Sequence, residues 1–329
     1  MEPKFYTSSD IQKIFKVDKD TLKELELSGS FPVPERIKKG AISVKAWPIS
    51  SLPSFGLKCG FFKKPKKRIT ITVFTQKGGV TKSSYTHCLA RVLALNGINV
   101  LLIGLDSQLS VTTFTFPGLG LEELRALKPG LYHHFYENAS LDEVIRATDI
   151  PTLKTIPETS EIKALNEKIE RARNKEAFFK EKLMPQLINF DCIIFDNGPS
   201  WNNLIENSIV AADTLISPVS CAIGTLNVLP QNLEEIAEFQ KDLKLNFDFI
   251  MVPTLLDHNN KLSAQIYNEY KNNYPDNLLP FPIRKSVKAE EAQAFNISSI
   301  EYDPLSPVSI DYYQSFCELW KRINPEYAN

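Results

Sequence analysis

The chain has 329 residues, 43% of them hydrophobic and 23% charged, with a net charge of −1, a length and composition that suit one large globular domain plus a small one. No apolar run approaches the roughly 18 residues that span a bilayer, and Met1-Glu-Pro-Lys lacks the apolar core of a secretory signal, so neither a membrane-embedded nor an exported chain is expected. The five cysteines (59, 88, 192, 221, 317) form no C-x-x-C pair and the four histidines have no metal-ligand spacing, which argues against zinc and dithiol chemistry and for a reducing cytoplasm.

The charge is unevenly spread. Residues 1–68 hold 15 Lys and Arg against 7 Asp and Glu, and residues 69–329 hold 23 against 32. A basic head on an acidic body points to a polyanionic partner for the head. Thr7-Ser-Ser-Asp10 is a helix start with hydroxyl caps, and Ile11, Ile14 and Phe15 give that helix one apolar face. Asp18 caps a second helix carrying Leu22, Leu25 and Leu27, which ends at Ser28-Gly29. Pro32 and Pro34 bar further helix, and Lys38-Lys39-Gly40 reads as a turn between extended pieces. Two short helices and a basic hairpin over residues 1–58 predict a winged helix-turn-helix DNA-binding domain. Residues 59–68, rich in lysine, predict an extended, solvated linker.

From residue 69 to 329 apolar strands alternate with amphipathic helices. Ile69–Thr75, Val100–Leu105, Cys192–Phe195, Thr214–Ser217 and Phe247–Val252 are short apolar runs, and Lys82–Asn96 is a helix closed by Gly97. This pattern predicts an α/β fold, a mostly parallel sheet with helices on both faces. Glu161–Leu187 reads as one long charged helix with Ile162, Leu165 and Ile169 on its buried stripe.

The chemistry concentrates where the first of these strands meets its helix, at Thr75-Gln-Lys77-Gly78-Gly79-Val80-Thr81-Lys82-Ser83-Ser84. Backbone N–H groups of such a loop converge on phosphate oxygens, and the helix N-terminus adds a favourable dipole. Lys82 is then placed to neutralise β- and γ-phosphates and the Ser83 hydroxyl to ligate Mg²⁺, with Gly78 to Ser84 forming the cradle. The ordinary P-loop formula is not met, since it requires glycine where Gln76 and Thr81 stand.

The K-G-G-V-x-K-S pattern resembles the deviant Walker A loop of the ParA/MinD ATPases. The resemblance implies ATP and Mg²⁺ as ligands and an ATP-dependent homodimer in which Lys77, the signature lysine, reaches the partner's nucleotide. Val100-Leu-Leu-Ile-Gly104-Leu-Asp106-Ser-Gln108 resembles the family's D-x-D strand end. Asp106 matches the second aspartate, which handles the attacking water, and Gly104 replaces the first. Phe190-Asp-Cys-Ile-Ile-Phe-Asp196-Asn-Gly198-Pro199 resembles its Walker B segment. Asp196 there implies a hold on Mg²⁺ through water, and Gly198 replaces a proline. Loss of the carboxylate at 104 implies weaker metal coordination or slow hydrolysis.

The resemblance extends to about residue 320. Leu215-Ile-Ser-Pro218 is similar to the strand leading to the adenine pocket. Thr254-Leu-Leu-Asp257 and Ile283-Arg284-Lys285-Ser-Val287-Lys288 resemble later family segments, the second implying nonspecific DNA contact through Lys285 and Lys288. The N-terminal segment resembles the winged helix of long plasmid ParA proteins, in which Lys19, Lys23, Lys38 and Lys39 face DNA and read an operator. A ParB-like centromere-binding protein is the implied partner, and a nucleoid-associated cytoplasmic location follows. Two alternatives stand: a MinD-like positioning ATPase, disfavoured because Pro325 stops the terminal helix that would lie on a membrane, and a non-enzymatic nucleotide-sensing regulator, favoured by Gly104. An iron–sulfur reductase sharing the loop is discounted, because no cysteine lies between Cys88 and Cys192.

Overall fold

In a computed structural model of the chain, residues 4–29, 31–40 and 42–324 are described. The expected helix stop at Pro325 lies outside them. The first strand, β1 (Phe5–Thr7), runs into α1 (Ser8–Phe15) through a reciprocal cap. Thr7 N–H donates to Asp10 Oδ2 at 2.9 Å, and Asp10 N–H donates back to Thr7 Oγ1 at 3.4 Å. Asp18 then starts α2 (Lys19–Leu27), its Oδ1 accepting from the N–H groups of Asp20 and Thr21 at 2.9 and 2.8 Å. A hairpin of β2 (Glu35–Lys39) and β3 (Ile42–Pro48) joins β1 in an antiparallel sheet of order β1-β3-β2.

Two N-terminal elements escaped the sequence pattern: β1, with only three residues, and α3 (Leu52–Cys59), which opens on Leu52-Pro53. Proline suits a first helical turn, where its missing N–H costs nothing. α3 lies against the C-terminal end of α4 (Lys82–Leu95). A Cβ on Gly56 would stand 2.0 Å from the Leu95 carbonyl oxygen, so this approach requires glycine.

The stretch 59–68 is not the solvated linker that its lysines predict. Phe62 is buried and meets Trp320 edge-on, while the Trp320 indole donates to the Lys63 carbonyl at 2.9 Å. Arg68 Nη1 donates to the carbonyls of Met184 and Leu187, both at 3.0 Å. The two phenylalanines at 61 and 62 outweigh the flanking charge, because burying an aromatic ring stabilises by about 2 kcal/mol while the long lysine side chains beside them stay at the surface, Lys64 paired to Asp191 at 3.0 Å. One hydrophobic core accordingly runs from Tyr6 and Ile11 through Phe55 and Phe62 to Phe316 and Trp320.

The large sheet holds β4 (Ile69–Val73), β5 (Val100–Gly104), β6 (Arg146–Ala147), β7 (Leu153–Ile156), β8 (Cys192–Asp196), β9 (Thr214–Ser220) and β10 (Asp248–Thr254). Its order is β10-β9-β4-β8-β5-β7-β6, parallel throughout except where β6 meets β7. Every residue of β4, β5, β8 and β9 is buried, as expected of a sheet covered on both faces.

The long helix expected over 161–187 is broken. Ile162–Glu170 is helical and buries Ile162, Leu165 and Ile169, but the next regular α-helix is Phe178–Lys182, flanked by single 3₁₀ turns. The buried Asn207 side chain takes hold of the backbone at the break. Its Oδ1 accepts from Phe179 N–H at 2.8 Å and its Nδ2 donates to the Lys175 carbonyl at 2.6 Å. Pro185, without an N–H, prevents resumption. No helix among the described residues is long and apolar enough to cross a membrane.

Candidate nucleotide site

In the sheet register Asp196 stands opposite both Val73, at the end of β4, and Gly104, at the end of β5. The carboxylate of β8 is thereby set beside the loop that leaves β4 for α4. Ligands of open α/β sheets collect at this carboxyl edge. In the loop, Gly78 and Gly79 are exposed and Val80 is buried, its carbonyl accepting from Thr254 Oγ1 at 3.2 Å.

Lys82 is 8% exposed, and its Nζ donates to the Lys77 carbonyl at 3.1 Å. Burial lowers its pKa, opposed by the charges of Asp196 and Asp106. Asp196 is wholly buried, and neither of its carboxylate oxygens has a hydrogen-bond partner. Burial pushes its pKa up to about 6. The Ser83 and Thr86 hydroxyls and Lys82 pull it down, and Asp106 adds to the rise. A bare buried carboxylate costs several kcal/mol unless a cation completes it. The site therefore fits a divalent metal held by Ser83 and Asp196.

Asp106 is half-buried. Its Oδ1 accepts from Gln108 N–H at 3.0 Å, and a Cβ at Gly198 would lie 3.1 Å from the same oxygen. The proline that Gly198 replaces would crowd this aspartate. Lys82, Ser83, Asp106 and Asp196 thus converge. The exposed Lys77 stands apart, its Nζ 3.6 Å from where a Cβ at Gly224 would be. The Ser84 hydroxyl donates to Gln293 Oε1 at 2.8 Å, turned from the loop toward a cleft of about 80 Å³ shared with Thr81, Leu255, Arg284 and Tyr312.

The remaining basic positions are scattered. Lys19 and Lys23 are exposed on α2, Lys38 is exposed on β2 and Lys39 ends that strand. Lys285 is exposed ahead of the helix Val287–Ala294. Lys288 is exposed within it, ion-paired to Glu291 at 3.2 Å.

Two site features were invisible to motif reading. Asn197 ties strand ends together: its Nδ2 donates to Thr72 Oγ1 at 2.8 Å and to the Val73 carbonyl at 3.1 Å. Its position directly after the strand-end aspartate was the only signal. The second is Glu158, wholly buried just beyond β7. It lies against Gly104, where a Cβ would stand 2.2 Å from Glu158 Cδ.

Thr81, the N-cap of α4, has φ 66° and ψ 26°, the left-handed region, which a β-branched residue enters at a cost of about 1 kcal/mol or more. Thr81→Gly is expected to raise the unfolding free energy by about 1 kcal/mol, read from the midpoint of denaturant unfolding. An unchanged or lower midpoint contradicts the strain.

A buried strand, a glycine-bearing loop, a lysine-led helix and two strand-end carboxylates turned on the loop define a P-loop ATPase site. Residues 68–249, more than half of the chain, match the AAA domain family AAA_31. The sporulation initiation inhibitor protein Soj of Bacillus subtilis is 30% identical over 239 residues, 72% of this chain and 92% of Soj. A putative plasmid partition protein of Borrelia burgdorferi, solved with AMPPNP, superposes with a TM-score of 0.63 at 23% identity, covering 78% of this chain and all of that one. Cobyrinic acid a,c-diamide synthase of Mycobacterium smegmatis, solved with an ATP analogue and magnesium, also gives 0.63, at 22% identity over 78% of this chain and 95% of that one. Those two solved structures share the fold, and the fold alone does not choose among their activities. The chain belongs to the ParA/MinD-type P-loop ATPases.

Proposed function

We propose that the chain is a DNA-segregation ATPase in which Mg-ATP drives dimerisation and nonspecific DNA binding, and slow hydrolysis, stimulated by a ParB-like centromere-binding adaptor, resets both. The observation that carries this reading is the buried, unpartnered Asp196 carboxylate beside Lys82 and Ser83. Resemblance to the chromosome partitioning protein ParA of Myxococcus xanthus, 25% identical over 78% of this chain and 89% of that one, supports segregation rather than another use of the fold.

In this reading the loop N–H groups of residues 78–84 grip the β- and γ-phosphates and Lys82 turns from the Lys77 carbonyl to pair with them. Ser83 directly and Asp196 through water would hold magnesium, which would supply charge neutralisation at the phosphate oxygens. Asp106 orients the attacking water, and Lys77, exposed and unconstrained by the loop, reaches the nucleotide of a second copy. Thr81, Leu255 and Arg284 line the cleft on the nucleoside side. The N-terminal module, with Lys19, Lys23, Lys38 and Lys39 on α2 and the hairpin, acts in this reading as a winged helix that binds an operator, a role supported by its two short helices and basic hairpin.

Lys285 and Lys288 contact DNA phosphates, so their affinity carries no sequence information and falls with salt. The paired variant Lys285→Ala with Lys288→Ala is expected to weaken ATP-dependent binding to random duplex about tenfold and to flatten its salt slope by about 2. Unchanged binding removes these lysines from the interface. ATP-dependent binding and dimerisation with no single-turnover hydrolysis would instead indicate a nucleotide-sensing regulator.

A further inference from the structure

The sequence leaves β5 one carboxylate short, since Gly104 stands two residues before Asp106 where the family carries an aspartate. The missing group is present in space. β5 and β7 pair in parallel with Ile103 opposite Ile156, so the residues just past the two strand ends lie side by side. Pro157-Glu158 turns there, and the Glu158 carboxylate folds over Gly104. The three atoms nearest a Cβ built on Gly104 are Glu158 Cδ at 2.2 Å, Oε1 at 2.4 Å and Oε2 at 2.6 Å. An aspartate's own carboxylate oxygens lie about 2.4 Å from its Cβ by ordinary bond lengths. A Cβ at 104 would press on the face of the Glu158 carboxylate, so an aspartate side chain there and this carboxylate would compete for the same space.

The carboxylate is fully engaged. Oε2 accepts from Thr112 N–H at 2.8 Å and from Thr112 Oγ1 at 2.7 Å, and Oε1 accepts from Val111 N–H at 3.2 Å. Both residues open α5 (Ser110–Thr115), whose N-cap Leu109 sits at φ 60°. Asp106 begins the turn that leads to this helix, closed by Leu109 N–H donating to the Asp106 carbonyl at 3.1 Å. Glu158 thus clamps the far end of the segment that carries Asp106.

We infer that Glu158 is a positioning residue for ATP hydrolysis: it supplies from β7 the carboxylate that β5 lacks and fixes the Asp106–Leu109 turn, while Gly104 is retained as the space it occupies. This rests on the nucleotide reading above, with Asp106 handling the water. It also explains the pairing of residues 54 positions apart that otherwise look unrelated: a glycine at one strand end and a buried acid just past another.

The test moves the carboxylate back. Wild-type protein is first titrated with Mg-ATP by calorimetry; no uptake sinks the nucleotide reading and leaves nothing for Glu158 to position. Given uptake, single-turnover hydrolysis is compared across Glu158→Ala, Glu158→Gln, Gly104→Asp and Gly104→Asp with Glu158→Ala. Glu158→Ala is expected to hydrolyse about tenfold more slowly with Mg-ATP affinity within about threefold of wild type, the split that a turnover-positioning role produces. Glu158→Gln, which keeps the volume but offers one oxygen to two N–H donors, is expected to lose at least about threefold. Gly104→Asp alone forces two carboxylates into one space and is expected to unfold at lower temperature than wild type. The double variant is expected to recover to within about threefold of the wild-type rate. Wild-type turnover in Glu158→Gln, or a folded double variant as slow as Glu158→Ala, overturns the proposal. If Glu158→Ala does not fold, the Gln and double variants decide it.

Discussion

Lys82→Ala is expected to bind Mg-ATP at least about 100-fold more weakly than the wild-type chain, a loss of roughly 3 kcal/mol. The lysine is nearly buried, its ammonium held by the Lys77 carbonyl at the base of the loop and facing the two aspartates. Among the described residues Lys82 is the cation that acts on both Asp106 and Asp196, so its removal leaves the loop N–H groups and the metal alone to offset the repulsion between the triphosphate and these carboxylates. Lys82→Met separates charge from volume, because it fills the same space without the ammonium. Both variants are to be titrated with a fluorescent ATP analogue and magnesium, alongside thermal melts to establish folding. An affinity within about threefold of wild type in either would dissolve the site assignment, since every other role at this edge of the sheet presupposes the phosphate grip.

The second large effect is on stability. Arg91→Met is expected to lower the unfolding free energy by about 3–5 kcal/mol and the melting temperature by roughly 10 °C. Arg91, 3% exposed, donates from Nε and Nη2 to the two Glu301 oxygens and from Nη1 and Nη2 to the Asp149 oxygens, all at 2.8 Å. Glu301 lies in the helix Ser299–Tyr302 and receives a further bond at 3.3 Å from Tyr6 Oη, so the cluster joins α4, the C-terminal region and the N-terminal sheet. Burial alone would raise the Glu301 pKa, but Arg91 holds it at about 2, against an ordinary 4.5. A folded-state pKa depressed in this way contributes stability that is complete above the ordinary carboxylate range and is lost as pH falls from about 4.5 toward 2. Wild type is therefore expected to lose more stability across that window than Arg91→Met, whose Glu301 keeps only the weaker pull of Lys4 to hold it ionised. Equal losses in urea melts at pH 5 and pH 3 would exclude the pair as the source.

The nucleotide edge was legible because phosphate chemistry demands particular side chains at fixed spacing along one strand-loop-helix unit. Lys82, Ser83, Asp106 and Asp196 could be picked out before any coordinates, and the sheet register then brought them together. What stayed hidden depends on long-range geometry. Glu158 follows a proline and precedes a threonine, a context that reads as an ordinary turn, and only the β5–β7 register reveals what it faces. Arg91 lies on a helix face that looks solvated by composition, and its partners Asp149 and Glu301 come from distant segments. The packing of the tract 59–68 is hidden for a related reason: six basic and proline residues dominate its composition, while two phenylalanines decide its packing. The helix expected over 161–187 fails at a place that its own periodicity does not mark, because the interrupting group, Asn207, belongs to another element.

The seating of α3 against α4 has a mechanical consequence. α4 has 14 residues, so it is a rod about 21 Å long. One tip is the phosphate loop; the other is gripped by Gly56 and by Leu57, whose Cγ would be 2.3 Å from a Cβ at Gly97. With backbone wedged against backbone there, the tail of the rod cannot shift along its axis without displacing α3, so the helix that begins at the loop is anchored at its far end by a segment that precedes the sheet in sequence.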